Sequence, residues 1–138
     1  MVDRDQDRAD LVRQCLDVGH EHLAGELAGG IDAWLHTGRA VHAIPFVDVA
    51  EMTGAVVDVR QANEYASGHV PGAGNIELGR ITTAEVPDGP LTVMCGHGER
   101  AMTAVSLLAA HGHADLRVLD GGPDTWSAAT GQPLAVGG

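Results

Sequence analysis

The chain has 138 residues, the size of one ordinary domain with a single buried core. Hydrophobic residues make up 44% and charged residues 20%, a globular composition that excludes a largely disordered chain. The formal net charge is −11. It argues against nucleic acid as a partner, because affinity for the phosphate backbone comes largely from Lys and Arg.

The apolar runs and the first ten residues indicate a cytoplasmic protein without a membrane partner. No run approaches the roughly 18 apolar residues of a membrane-spanning helix. The opening stretch, MVDRDQDRAD, lacks the basic and apolar regions of a signal peptide. Cys15 and Cys95 show none of the close, even spacing of a disulfide framework, so we expect free thiols.

The first predicted element is a helix over residues 7–18. Its apolar side chains recur near helical spacing, and Gly19 follows as a stop signal. These side chains are Ala9, Leu11, Val12, Cys15, Leu16 and Val18. Because Cys15 falls on this apolar face, we expect a small buried core residue there rather than a reactive thiol.

Two stretches of the chain resemble one another, one beginning at Gly19 and the other at Gly112. Each runs from Gly-His through an apolar, strand-like stretch to Gly-Gly, then to a Trp four residues later and a further Gly. The two tryptophans are Trp34 and Trp126. Either the likeness is chance in a Gly-rich chain, or it marks an internal repeat whose first copy is cut short.

The repeat predicts a chain of two parts. Residues 1–44 are expected to be the helix and strand remnant of a preceding repeat, and residues 45–138 a complete domain. A helix and a strand cannot bury their apolar faces alone, so we expect the remnant to pack against the complete domain.

From Pro45 onward, short buried strands alternate with helices. Strands are predicted at 55–59, 72–76, 91–95 and 116–120, where the residues are mostly apolar and often β-branched. Helices are predicted at 46–52, with Asp48 as a cap, at 63–68, at 99–111, and at 123–130, with Pro123 in the first turn. This alternation predicts an α/β domain with a parallel sheet.

Cys95 closes a buried strand, and the loop that follows leads directly into a helix. At the carboxyl end of a parallel strand, the next helix presents unpaired N–H groups and the positive end of its dipole. Gly96 and Gly98 let the backbone curl so that successive N–H groups point inward, forming a nest for an anion. Such a nest favours the thiolate, which predicts that Cys95 is a nucleophile rather than a buried inert thiol.

Three charged or polar residues complete this loop. Arg100 carries a planar fork of donors suited to an oxyanion, and its alternative is a solvated residue of the first helical turn. His97 lies in the middle of the loop, where it either contacts substrate or is simply exposed. Glu99 is favourable at a helix N-terminus on dipole grounds alone.

The sequence CGHGER, beginning at Cys95, resembles the active-site loop of rhodanese-like sulfurtransferases, and VVDVRQANEYASGHVPGAGNI resembles their second signature. The resemblance covers roughly residues 45–135, including the terminal Gly-Gly-x3-Trp. It implies a three-layer, parallel-sheet rhodanese-like fold and a double displacement without a cofactor. Cys95 would carry the sulfur as a persulfide, and Gly96, His97, Gly98, Glu99 and Arg100 would form its cradle and bind the donor.

Loop length separates sulfur from phosphate chemistry within this fold. Related dual-specificity phosphatases have a loop one residue longer, whereas four residues lie between Cys95 and Arg100 here. A phosphatase or arsenate reductase is therefore disfavoured. The negative Glu99 and the acidic chain make an organic persulfide a competitor to thiosulfate as the small-molecule donor, with a thiol as acceptor.

The second signature supplies supporting residues. An ion pair of Arg60 with either Asp58 or Glu64 would fix the loop near the active site, and we prefer this role to direct catalysis. We expect His69 to be an architectural hydrogen-bonding residue rather than a catalytic base.

Two wider interpretations accompany the resemblance. The chain is either an active sulfurtransferase or a non-catalytic rhodanese-fold binding module of a larger persulfide-metabolising protein. Its first part resembles the end of a rhodanese-like domain in proteins that begin with a metallo-β-lactamase-fold domain, which would be an upstream partner. The scattered histidines form no closed ligand set, so no metal is predicted for this chain.

Overall fold

The computed structural model describes residues 7–17 and 21–137. These residues form two compact units that divide between His42 and Ala43. Within the described residues, no helix combines the length and apolar character that crossing a membrane requires.

The first unit contains two helices, α1 (Arg8–Asp17) and α2 (Gly30–His36). Helix α1 is the predicted one, and its expected last residue and stop signal, 18 and 19, lie outside the described residues. Cys15 in α1 is only partly buried, so the expectation of a buried core residue is wrong.

The strand expected in the first repeat copy is also wrong in its described part. Residues 21–27 have no regular secondary structure, and Gly25 has a φ of 142°, a conformation foreign to strands. Within residues 7–17 and 21–42 there is no strand with which this stretch could pair. The interpretation of residues 1–44 as a repeat remnant that packs on the second unit stays a prediction.

The second unit is built on a five-stranded parallel sheet. Its strands are β1 (Phe46–Val47), β2 (Ala55–Asp58), β3 (Gly74–Asn75), β4 (Leu91–Met94) and β5 (Leu116–Leu119). Their order across the sheet is β1-β5-β4-β2-β3, and every pairing is parallel. The central strand β4 is buried along its whole length, as its apolar sequence predicts.

Two helices and two short 3-10 turns connect the strands, and a third helix follows β5. The helices are α3 (Ala62–Ser67), α4 (Glu99–Ala110) and α5 (Pro123–Thr130), and the turns are Val49–Glu51 and Leu78–Arg80. The predicted helix over 46–52 is wrong in its first half. Phe46 and Val47 instead pair with β5, and helical structure is confined to the single turn after Asp48.

Two apolar clusters cover the two faces of the sheet. Val93 and Val118 point into the cluster that contains α4, whereas their neighbours Met94 and Leu119 point into the cluster that contains Trp126 of α5. This alternation is the period of two expected for a strand buried on both faces. The predicted three-layer α/β fold with a parallel sheet is therefore confirmed.

Candidate active site

Cys95 lies immediately after β4, at the carboxyl edge of the sheet. Its side chain belongs to the core and is 1% exposed. The residues 95–98 turn sharply into α4, which begins at Glu99. The neighbouring strand β2 ends at the same edge, because Asp58 pairs with Met94. The loops that follow the neighbouring strands β2 and β4 therefore lie at the same edge of the sheet.

The sulfur of Cys95 is held by the backbone of its own loop. The N–H of Gly98 donates to Sγ at 3.1 Å, and Gly98 is the residue that caps the N-terminus of α4. An N–H donor and the positive end of a 12-residue helix both favour negative charge on sulfur. The geometry therefore suits a thiolate nucleophile.

Gly98 is required at this cap for two reasons. Its φ of 106° is in the left-handed region that side chains rarely adopt. A Cβ atom at this position would also lie 3.0 Å from the ring of Phe46 in β1. The conformation that aims the Gly98 N–H at sulfur is therefore accessible to glycine alone at low cost.

Gly122, the second glycine of the terminal Gly-Gly-x3-Trp motif, lies at the site, which the sequence did not predict. A Cβ atom there would lie 2.7 Å from the carbonyl oxygen of Gly96 and 2.9 Å from that of Cys95. The connection from β5 to α5 therefore lies directly against the cysteine loop. The Gly-Gly-x3-Trp motif marks this glycine in the sequence, but only the fold shows that it lies against the cysteine loop.

Arg100 and Glu64 form a two-pronged ion pair beside the loop. Nη1 of Arg100 donates to Oε2 of Glu64 at 2.7 Å, and Nη2 donates to Oε1 at 2.9 Å. The hydrogen bonds from Arg100 are the main reason that the pKa of Glu64 falls to about 2, with the Gln61 N–H adding to them and partial burial opposing them. Conversely, Glu64 raises the pKa of Arg100 above its ordinary value.

The other two loop residues lie at the surface. His97 and Glu99 are both exposed, and Glu99 occupies the first turn of α4, where its charge complements the helix dipole. Gly96 is half-buried. A Cβ atom added to Gly96 would lie 3.9 Å from Nη2 of Arg100. Of the loop residues, Gly98 contacts the cysteine sulfur, and the roles of the loop residues toward a substrate stay predictions.

Asp58 and Arg60 brace the loop that follows β2. Asp58 is fully buried, and its carboxylate accepts from Nη2 of Arg60 at 2.7 Å and from Nε at 3.0 Å. Arg60 also donates to the carbonyl of Gly68, while Asn75 donates to the carbonyls of both Asp58 and Arg60. Of the two expected ion pairs of Arg60, the structure contains the one with Asp58, and Glu64 instead pairs with Arg100.

His69 is a buried residue of the second unit. Its backbone exchanges two hydrogen bonds with Ala135, both at 2.9 Å. Its ring stacks on Tyr65 with centroids 3.7 Å apart, and Nδ1 lies 3.0 Å from the Tyr65 carbonyl oxygen. These contacts are those of an architectural residue. Across residues 7–17 and 21–137, no cluster of three His, Cys, Asp or Glu side chains could hold a metal ion.

Residues 47–129 match the family model described as the rhodanese-like domain. The chain belongs to the rhodanese-like domain family. The thiosulfate sulfurtransferase GlpE of Pseudomonas fluorescens (strain SBW25) is 35% identical to this rhodanese-like domain over 79 residues, which cover 55% of this chain and 72% of that protein. GlpE of Pseudoalteromonas translucida (strain TAC 125) is 32% identical over 77 residues, covering 54% and 73%. These relatives and the family match show that the chain is a sulfurtransferase.

Solved structures share the fold of this rhodanese-like domain. A rhodanese-related protein from Thermoplasma volcanium superposes with a TM-score of 0.58 at 24% identity, covering 67% of this chain and 98% of that one. The reduced Bacillus anthracis CoADR-RHD superposes with a TM-score of 0.59 at 26% identity, covering 67% of this chain and 18% of that one. The first of these likenesses concerns the fold alone.

Proposed function

We propose that this domain moves a sulfane sulfur from thiosulfate or an organic persulfide to a thiol or another acceptor through a persulfide on Cys95. The proposal is supported above all by one observation. The Cys95 sulfur, at the carboxyl end of β4, accepts a hydrogen bond from the Gly98 N–H at the start of α4.

In the first step, the Cys95 thiolate attacks the outer sulfur of the donor. A new sulfur–sulfur bond forms to Cys95, and the donor's own sulfur–sulfur bond breaks. The leaving group takes the electron pair, as sulfite from thiosulfate or as a thiolate from an organic persulfide. Cys95 then carries one additional sulfur.

In the second step, an acceptor thiolate attacks the outer sulfur of the Cys95 persulfide. The bond to the Cys95 sulfur breaks, and the thiolate of Cys95 is regenerated with its electron pair. The acceptor leaves as a persulfide. The two steps balance without any further oxidant or reductant, so the chemistry needs no cofactor.

The loop suits an anionic sulfur chain better than a neutral thiol. In this proposal the backbone of Gly96, His97 and Gly98 cradles the persulfide, and Glu99 and Arg100 line its entrance. A persulfide places its negative charge one atom farther out than a thiolate does. In this proposal that charge is stabilised by the positive end of the α4 dipole, since α4 begins at Glu99 directly after the loop.

The proposal is tested by intact mass spectrometry of the purified protein. Incubation with thiosulfate or with glutathione persulfide should add one sulfur, about 32 Da, by thiol exchange. Cys95→Ser should abolish the addition, whereas Cys15→Ser, a change in the other unit, should leave it intact. A mass unchanged with both donors would contradict the proposal and favour the non-catalytic binding module.

Two expectations from the sequence stay predictions beside this function. One is the cytoplasmic location. The other is an upstream metallo-β-lactamase-fold domain in the full-length protein. Both domains would then act on persulfides.

A further inference from the structure

We propose that Glu64 sets the donor preference of this domain by neutralising Arg100, so that the site disfavours the dianion thiosulfate relative to donors with less negative charge. The inference rests on the proposed sulfur transfer at Cys95 and names the residue that selects its donor. Four observations support it.

First, the ion pair engages the Arg100 fork symmetrically. Both terminal nitrogens of Arg100 donate to the two carboxylate oxygens of Glu64, at 2.7 and 2.9 Å. This two-pronged arrangement is the same one by which a guanidinium would hold an oxyanion of the donor. Glu64 therefore occupies the face of Arg100 that thiosulfate would use.

Second, the pair lies close enough to the cysteine for its charge to matter. Nη2 of Arg100 is 3.9 Å from the position of a Cβ on Gly96, the residue next to Cys95. A negative charge on Cys95 also contributes to raising the pKa of Arg100. An uncompensated Arg100 would therefore attract an anion arriving at the sulfur.

Third, Glu64 is fixed before any donor arrives. Oε2 of Glu64 also accepts from the Gln61 N–H at 3.1 Å, and the Ala62 N–H is held by Glu77 at 2.9 Å. These hydrogen bonds fix the position of the first turn of α3. The carboxylate consequently holds its place at less entropic cost than a carboxylate in a freely rotating surface ion pair.

Fourth, Glu64 stays ionised at any physiological pH. Its pKa is about 2, chiefly because of the hydrogen bonds from Arg100. The Arg100–Glu64 pair is thus electrically neutral at physiological pH. The attraction for an anionic donor then comes from the loop N–H groups and the helix dipole. The chain's net charge of −11 adds a long-range repulsion of anions.

The test uses two donors of similar size and different charge. Thiosulfate is a dianion, and methanethiosulfonate replaces one of its charged oxygens with a methyl group. Each donates its outer sulfur, leaving sulfite or methanesulfinate respectively. The ratio of their kcat/KM values therefore reports charge selection, with the leaving chemistry kept nearly the same.

Glu64→Gln keeps an oxygen acceptor for Arg100 and removes the charge. We expect the thiosulfate to methanethiosulfonate ratio to rise about tenfold, since one unit charge near the site is removed. The rise should shrink at high salt, because Arg100 and Glu64 are more than one-third exposed and are screened. Glu85→Gln, an equal charge change in an exposed loop, should leave the ratio unchanged.

A double variant shows whether the gain acts through Arg100. Adding Arg100→Gln to Glu64→Gln should return the ratio to its starting value. The proposal would be overturned if Glu64→Gln left the ratio of the two kcat/KM values unchanged. If both kcat/KM values fell equally while the circular dichroism stayed unaltered, Glu64 would have a purely positioning role. Failure of the unaltered protein with both donors would instead overturn the proposed function.

Discussion

The α-carbon of Gly122 lies so close to the cysteine loop that a Cβ on it would stand 2.7 Å from the carbonyl oxygen of Gly96. Gly122 itself has an extended backbone, with φ −143° and ψ −165°, which any residue adopts. The need for glycine is therefore spatial. The end of the domain, after β5, helps to shape the loop that follows β4.

Gly122→Ala should consequently damage the site more than the fold. The added methyl group displaces the 95–96 backbone, and overpacking of this kind costs about 1–3 kcal/mol of unfolding free energy. We expect a large loss in the rate of Cys95 persulfide formation, measured by stopped reaction and mass spectrometry. Gly79→Ala, where a Cβ meets open space, should leave the rate unaltered. A normal rate in Gly122→Ala would show that the loop tolerates the displacement.

Gly98→Ala separates backbone strain from loop chemistry. The left-handed φ of 106° costs roughly 1–2 kcal/mol for a residue with a side chain. Gly112 has a similar φ of 97° and open space around its Cβ, so Gly112→Ala should lose stability from the backbone strain alone, without the Phe46 contact of Gly98→Ala. Sulfur transfer should be lost in Gly98→Ala and kept in Gly112→Ala. Equal sulfur-transfer activities in the two variants would show that the Gly98 N–H has no role in the reaction.

Asp58→Ala should destabilise the domain strongly. It leaves Arg60, which is 11% exposed, without the carboxylate that neutralises it in the core. Breaking one partner of a buried pair typically costs about 3–5 kcal/mol. Chemical denaturation should show this, while Asp115→Ala, which breaks a pair with Arg117 at the surface, should cost less than about 1 kcal/mol. Equal effects would mean that the Asp58 pair is not a structural brace.

Acid should weaken the domain through Glu64. Its pKa is about 2 in the folded protein and near 4.5 in an unperturbed carboxyl group, so the folded state favours the ionised form. The stabilisation is fully present above the unfolded pKa and is lost as pH falls toward 2. The difference in unfolding free energy between the unaltered protein and Glu64→Gln should therefore shrink between these values. A difference independent of pH would contradict the ion pair.

Much of the fold could be predicted from local patterns. The stretches 55–58, 91–94 and 116–119 are mostly apolar because both faces of the sheet are covered, so their strands could be recognised. The two-residue strand at Phe46 could not. It exists only through its pairing with Val118, far along the chain, and a nearby cap signal at Asp48 favoured a helix.

The candidate site shows the same division. Cys95 and its loop are contiguous in sequence, so the sequence could place the cysteine at the end of a strand and its loop before a helix. The Arg100–Glu64 pair joins residues 36 positions apart, and the contact of Gly122 joins the segment after β5 to the loop after β4. Such relationships depend on which strands are neighbours in the sheet, which no local pattern specifies.

Isotope tracing can show whether the transferred sulfur passes through Cys95. Thiosulfate carrying a heavy isotope in its outer sulfur is mixed with the protein and a thiol acceptor, and samples are followed by mass spectrometry. We expect the label to appear first on Cys95 and then in the acceptor persulfide, and we expect Cys95→Ser to abolish both. Label reaching the acceptor at an unaltered rate in Cys95→Ser would contradict a route through Cys95.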